Sequence, residues 1–211
     1  MTRPSQPDLL VLHAVRLLGF ADTGAIARRF GLDLAETART LRVAEERGWV
    51  GRASFAGLEG WSLTEEGKAE NEAALARERL DADPDDVVGA VYRDFLPLNA
   101  RLLRATTDWQ LKPDRADPFA ANDHRDADWD ARVLDELAAV RRAMIPLVGR
   151  LTRVLTRFDG YDARYSAALQ RAWSGAHEWV DRTSVDSCHT VWFQLHEDLL
   201  ATQGVDRSAE R

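Results

Sequence analysis

The order of helical and strand-forming segments over residues 8–68 restricts the fold more than any other feature of the chain. Apolar residues recur at helical spacing over residues 8–18, so this segment predicts a first helix with one apolar stripe. A second predicted helix, over residues 25–30, follows a side chain that can cap it, Asp22 or Thr23. Two short helices joined by a short turn predict the first part of a helix-turn-helix.

The next segment predicts a third helix and a β-hairpin. Asp33 can cap this helix, Glu36 follows three residues later as in a capping box, and Gly48 ends it. Residues 49–55 and 60–63 are short strand-forming runs on either side of a turn. A helix-turn-helix followed by a hairpin presents one helix to the major groove of DNA and the hairpin to the flanking backbone. This region therefore predicts DNA binding.

The rest of the chain predicts helices alone. Thr64 caps a fourth helix that reaches about Leu80, and a loop rich in Asp covers residues 112–126. Further helices are predicted over about 84–109, 128–158 and 161–182, and from a cap at Thr183 or Ser184 to about Gln203. We therefore expect a mostly α-helical protein. A winged helix-turn-helix with a two-stranded β-hairpin wing should occupy residues 1–80, and an all-helical C-terminal domain residues 81–211.

Two segments carry a resemblance to a known family. Residues 45–50, Glu-Glu-Arg-Gly-Trp-Val, end the third helix, and residues 63–68, Leu-Thr-Glu-Glu-Gly-Lys, follow the hairpin. Residues 33–68 thereby resemble the winged helix-turn-helix domain of MarR-type transcriptional regulators, which commonly have Leu-Thr-x-x-Gly at the end of the wing. The domain order is more similar to that of PadR-type regulators. In place of the Asp-x-Arg element of many family wings, this wing carries one cation, Arg52, and one acid, Glu59.

The third helix has a face that could read DNA. On a helical wheel, Leu34, Ala38 and Leu41 share one side of the third helix, which is predicted to face the core. The residues on the opposite face are Glu36, Arg39, Thr40, Val43 and Arg47. Arg39 can form paired hydrogen bonds with guanine or reach a phosphate, Thr40 can bond a base or a phosphate, and Val43 can meet a thymine methyl group.

Three further arginines are candidates for contacts with the DNA backbone, which position a protein without reading sequence: Arg28, Arg29 and Arg52. The alternative is that all these charges are ordinary solvated groups, with Arg42 and Arg47 paired to Glu46 and other local acids. One such unit seldom makes enough contacts for tight specific binding, so we expect a two-fold dimer. The helices after Pro84 would form its dimerisation surface.

The charge distribution weakens the DNA hypothesis. The net charge is -7; residues 1–80 carry 11 Lys and Arg against 12 Asp and Glu, and residues 81–211 carry 17 against 23. A strong basic surface, which nucleic-acid binding favours, is therefore absent from the first domain. A winged helix that binds a protein or a ligand and no DNA stays open as the alternative. A helical ligand-binding or metal-sensing protein is a third possibility.

Aromatic residues in the second half suggest a site for a small-molecule effector. Its predicted lining is Trp109, Trp173, His189 and Trp192, near the helix-internal prolines Pro97 and Pro146. Packing alone would explain the same cluster. His189 and His196 lie two helical turns apart, which is too far to ligate one metal jointly, so no metal or cofactor is predicted.

Catalytic and targeting signals are scarce. The chain has no Gly-x-Ser-x-Gly, no phosphate-binding glycine loop and no His-Glu-x-x-His motif, so we do not expect an enzyme. The single cysteine, Cys188, excludes an internal disulfide and fits a reducing compartment. No apolar run approaches the roughly 20 residues of a membrane helix, and residues 1–7 lack an apolar signal region. We therefore expect a cytoplasmic protein without membrane contact.

Overall fold

A computed structural model describes residues 2–55 and 57–205 of the chain, apart from the side chains of Phe55 and Leu58. The elements in order are α1 (Pro7–Leu18), α2 (Thr23–Phe30), α3 (Leu34–Glu46), β1 (Val50–Phe55), β2 (Leu58–Leu63), α4 (Glu65–Ala82), α5 (Val87–Gln110), α6 (Ala127–Thr152), a 3-10 turn (Thr156–Phe158), α7 (Tyr161–Trp173), α8 (Glu178–Asp181) and α9 (Cys188–Gln203). The predicted fold class is confirmed: three helices, a β-hairpin, then helices.

Side-chain caps begin three of the N-terminal helices. Asp22, Asp33 and Thr64 each accept a hydrogen bond from the backbone N–H three residues later, at 2.7, 2.9 and 3.0 Å. These bonds satisfy donors that the first turn of a helix leaves without an intrahelical partner. The predicted caps of α2, α3 and α4 are therefore confirmed, and α2 begins two residues before the predicted start at residue 25.

The hairpin is tighter than the sequence predicted. β1 and β2 pair antiparallel from Val50 opposite Leu63 to Phe55 opposite Leu58. The predicted second strand, 60–63, thus begins two residues too late. Gly57 has a φ of 80°, a left-handed conformation that favours glycine and lets the chain reverse within a short turn. The other tip residue, Ala56, lies outside the described residues.

The chain divides into two compact units. The first consists of residues 1–88, 153–157 and 197–211, and the second of residues 89–152 and 158–196. The first unit therefore draws on three separate parts of the sequence, whereas the sequence-based division at residue 80 drew on one. Its larger hydrophobic cluster is built from Val11, Leu12, Ala14, Val15, Ile26, Leu41, Ala44, Val50 and Trp61.

The second unit contains α6, α7, α8 and most of α5 and α9. The predicted start of α9, after a cap at Thr183 or Ser184, is wrong, because the helix begins at Cys188. The predicted ends of two other helices in this unit are also wrong. The helix expected over 161–182 ends at Trp173, because Gly175 turns the backbone at a φ of 93° and Ala176 N–H bonds back to the Arg171 carbonyl. The helix expected to reach residue 158 ends at Thr152.

Candidate nucleic-acid interface

The face that α3 buries differs from the predicted one. Leu41 and Ala44 are buried as expected of a core face, and so is Thr37, whose hydroxyl donates to the Asp33 carbonyl at 2.8 Å. Leu34 is 57% exposed, so its predicted place in the core is wrong. It belongs to the first turn of the helix, and the inward stripe begins one turn later at Thr37.

The opposite face of α3 is exposed, as the wheel predicted, at Glu36, Arg39, Val43 and Arg47. Arg39 forms an ion pair with Glu36 on the preceding turn, and the guanidinium of Arg47 lies 4.8 Å from the ring centroid of Trp49. Thr40 is half-buried, and its hydroxyl donates to the carboxylate of Asp8 at 3.1 Å. Thr40 is thus tied to α1, while its neighbours on this face remain accessible.

A groove of about 610 Å³ separates α3 from the hairpin. Ala38 and Arg42 line it from the helix, and Arg52, Ser54 and Trp61 line it from the two strands. Ala38 was predicted to face the core and is half-buried at the edge of this groove. For Arg42 the sequence suggested only local ion pairing. A helical wheel does not show the hairpin strands that lie across the groove from this side chain.

Arg52 is held in position by two neighbours. Its guanidinium lies 4.5 Å from the ring centroid of Trp61 on the paired strand and 3.2 Å from the carboxylate of Glu45 on α3. The Trp61 indole N–H donates to the Thr23 hydroxyl at 3.0 Å, which anchors the ring to α2. The wing arginine is therefore oriented relative to both α2 and α3.

The other two predicted backbone-contacting arginines have different surroundings. Arg28 on α2 is exposed. Arg29 is half-buried, and its guanidinium lies 4.5 Å from the ring centroid of Phe30. The charge of Arg29 also acts on the interior, since it contributes to lowering the pKa of the buried His13.

The Leu-Thr-x-x-Gly segment joins the hairpin to α4. Besides capping α4, the Thr64 hydroxyl donates to the Gly48 carbonyl at 2.6 Å, and the Thr64 N–H donates to the Trp49 carbonyl at 3.1 Å. A Cβ atom on Gly67 would lie 1.8 Å from that same carbonyl oxygen. The threonine and the glycine are thus explained by the close approach of α4 to the end of α3.

The first unit also contains a buried polar cluster that was not predicted from the sequence. His13 on α1 lies 3.0 Å from the Asp198 carboxylate through Nε2 and 3.4 Å from the Asn71 side-chain amide through Nδ1. Arg157 pairs with Asp198 and with Glu78. We call these five residues the Asp198 cluster. The available signal was a histidine in the middle of the apolar run of α1.

The charges in the Asp198 cluster determine its protonation. Burial lowers the pKa of His13 and outweighs the attraction of Asp198, so the imidazole is neutral near pH 7. Burial would raise the pKa of Asp198, but Arg157 and His13 hold it well below its usual value. The carboxylate is therefore ionised in the interior.

The four residues predicted to line an effector site lie in different surroundings. Trp109 is buried and packs on His124, with 4.5 Å between ring centroids. Trp192 is buried against Phe95, and its indole N–H donates to the Asn99 side chain at 2.9 Å. Trp173 is 53% exposed, and His189 is half-buried with its pKa lowered by burial. These contacts explain the two buried indoles as packing, and effector binding at the four residues stays a prediction.

The remaining chemistry-bearing groups are few. Burial raises the pKa of the Cys188 thiol to about 12, so it is not a thiolate near neutral pH. Within residues 2–55 and 57–205, no three His, Cys, Asp or Glu side chains are grouped so as to hold a metal ion. None of the helices in that part of the chain is both long and apolar enough to cross a membrane. Comparisons with protein-family models, with curated proteins and with solved structures found no match.

Proposed function

We propose that this protein is a DNA-binding transcriptional regulator that acts as a dimer in the cytoplasm. The observation that carries the proposal is the pairing of an exposed helix face with a hairpin across one groove. Arg39 and Arg47 lie on the exposed face of α3, Arg42 lies on the helix side of the groove, and Arg52 lies on the hairpin side. Cations at these places can contact phosphates and base edges together.

The ion pairs of these arginines do not prevent such contacts. Arg39 and Arg52 have side chains that are 53% and 62% exposed, and each meets one carboxylate, that of Glu36 or Glu45. An exposed ion pair contributes only about 0–1 kcal/mol, because water screens it. A DNA phosphate can therefore replace the carboxylate at small cost, because it too accepts paired, charge-assisted hydrogen bonds from a guanidinium group.

The helical part of the chain would supply the dimer and its control. Two winged helices related by a two-fold axis would read two half-sites of a pseudo-palindrome. A small molecule bound among α5 to α9 would favour either the DNA-competent or the incompetent form of the dimer and so shift the population between them.

Selection from a pool of random duplexes tests the proposal, followed by affinity measurements on the selected duplex over a salt series. We expect one enriched, two-fold-related sequence. The double variant Arg39→Ala, Arg52→Ala should bind more weakly, and the slope of log affinity against log salt should fall by about 0.9 for each phosphate that the variant no longer neutralises.

Arg77→Ala is the matched control. Arg77 is an exposed arginine in the same unit; it pairs with Glu70 on α4 and does not line the groove between α3 and the hairpin. Its replacement should leave affinity and salt slope unchanged. Failure to enrich any sequence, or equal reductions of affinity in the double variant and the control, would overturn the proposal.

A second candidate function is a winged helix that binds a protein or a ligand without DNA. The nearly balanced charge of residues 1–80, with 11 basic and 12 acidic residues, favours it. The same selection distinguishes the two candidates. No enriched duplex, together with a partner that co-purifies with the wild type and is absent with Val43→Glu, would support the second.

A further inference from the structure

We propose that a groove between α5 and α6 binds a small organic anion with a flat apolar body. The groove has a volume of about 340 Å³ and lies within the second unit. It is lined by none of the four residues that the sequence predicted for an effector. A volume near the lower end of the range for small-molecule sites fits a ligand of one or two rings.

The groove has an apolar floor beside an aromatic ring. Ala105 of α5 and Val133 of α6 are buried beneath it. Trp129 lines it at the start of α6, and its indole N–H donates to the Asp108 carbonyl at 2.7 Å. The polar edge of the indole is thereby satisfied, and the ring is held in place as an apolar surface against which a flat ligand can pack.

The arginines of the groove are not equivalent. Arg101 donates two hydrogen bonds to Glu136, at 2.7 and 3.0 Å, and this pairing lowers the pKa of the Glu136 carboxyl. The two charges of that pair cancel. Among the described residues, Arg104 and Arg132 form no ion pair, and Arg132 lies over the Trp129 ring at 5.3 Å.

The lining therefore carries a small excess of positive charge. Asp108 is the remaining acid of the lining, so its three arginines stand against two carboxylates and leave a net charge of +1. Guanidinium groups bind carboxylates through paired hydrogen bonds, and they stack on flat rings. An anionic group on an apolar ring would meet Arg104 and Arg132 while the ring covers Trp129 and Val133.

Isothermal titration calorimetry of the full chain with 1-naphthoate tests the site, with no DNA present. We expect one molecule bound per chain. The uncharged 1-naphthamide should bind about tenfold more weakly, because it keeps the ring and loses the charge-assisted hydrogen bonds. Acetate, which keeps the charge and loses the ring, should bind more weakly still. Because the readout is binding of the anion alone, failure here and failure of DNA binding are distinguishable.

Arg104→Gln and Arg132→Gln should each weaken 1-naphthoate binding about tenfold, the loss expected for one charged partner. The matched control is Arg142→Gln, which removes the same charge from an exposed position of α6 outside the groove lining. All three side chains are exposed, so folding should be preserved, and a thermal melt checks it. Absence of binding, equal binding of acid and amide, or unchanged affinity in the Arg104, Arg132 double variant would overturn the proposal.

Discussion

Asp198 is a carboxylate with no solvent exposure, and its partners explain how the interior tolerates it. His13 and Arg157 meet one of its oxygens, and Arg157 also donates to the Thr202 hydroxyl at 2.8 Å. An unpaired charge at such a place would cost several kcal/mol, so the cluster stabilises the fold only as a complete set.

Stability should fall as the pH is lowered from 7.5 to 5.0. The folded-state pKa of His13 is below the unfolded value of about 6.5, so the unfolded chain binds a proton first. The contribution of His13 is therefore present above that value and is lost as the pH falls through its folded pKa. Urea unfolding at both pH values should show a smaller decrease of stability in His13→Gln than in the wild type.

Asp198 contributes to stability in a lower pH range, because charged partners lower its pKa against the effect of burial. Its contribution is present above about pH 4 and is lost only in stronger acid. If the stability of His13→Gln and of the wild type decreased equally between pH 7.5 and 5.0, the account of His13 would be wrong.

The junction between β2 and α4 shows how a short sequence motif orients one element against another. Thr64 caps α4 and bonds two backbone carbonyl groups at the end of α3, and Gly67 leaves room for the Trp49 carbonyl. The motif thus sets the direction in which the chain leaves the hairpin. Its role is structural: it positions the hairpin beside α3.

Gly67→Ala should destabilise the first unit by about 3 kcal/mol, since the backbone must shift to accept the added methyl group. Urea or thermal unfolding measures the effect. Gly149→Ala is a matched control: it is also a helical glycine, and a Cβ there meets nothing within 4 Å. That variant should gain about 0.5–1 kcal/mol through the higher helix propensity of alanine. Similar effects at the two positions would contradict the close-approach argument.

The first unit combines three separate stretches of the sequence, and this limits which part of the protein can fold alone. Residues 153–157 and 197–203 bring Arg157, Asp198 and Ala201 to a unit whose other residues come from the start of the chain. Ala201 packs with Leu9 and Leu75, and Asp198 is the partner of His13. These contacts join residues more than a hundred positions apart.

A fragment of residues 1–88 should therefore be much less stable than the same residues in the full chain. It keeps every element of the winged helix but leaves His13 without its buried partner Asp198 and removes Ala201 from its contact with Leu75. Far-UV circular dichroism and limited proteolysis measure the difference. A fragment that melts at the temperature of the full chain would show that the later segments do not stabilise this unit.

Local chemistry was enough to predict most of the elements, but not the short α8, which lies where one continuous helix over 161–182 was predicted. The caps at Asp22, Asp33 and Thr64 depend on bonds spanning three residues, so they could be predicted from the sequence. The exposed face of α3 followed from helical periodicity. The ends of α6 and α7 did not follow, because Thr152 and Trp173 lie in helical patterns that continue past the observed ends.

Contacts between residues far apart in the sequence could not be predicted from periodicity and capping. The exposure of Leu34, the inward position of Arg29, the bond from Thr40 to Asp8 and the groove that contains Arg42 all depend on neighbours from other elements. The Asp198 cluster is the extreme case, since its five residues are spread from α1 to α9. Periodicity and capping specify each helix and its faces, whereas burial and charge pairing depend on where the folded chain brings those faces together.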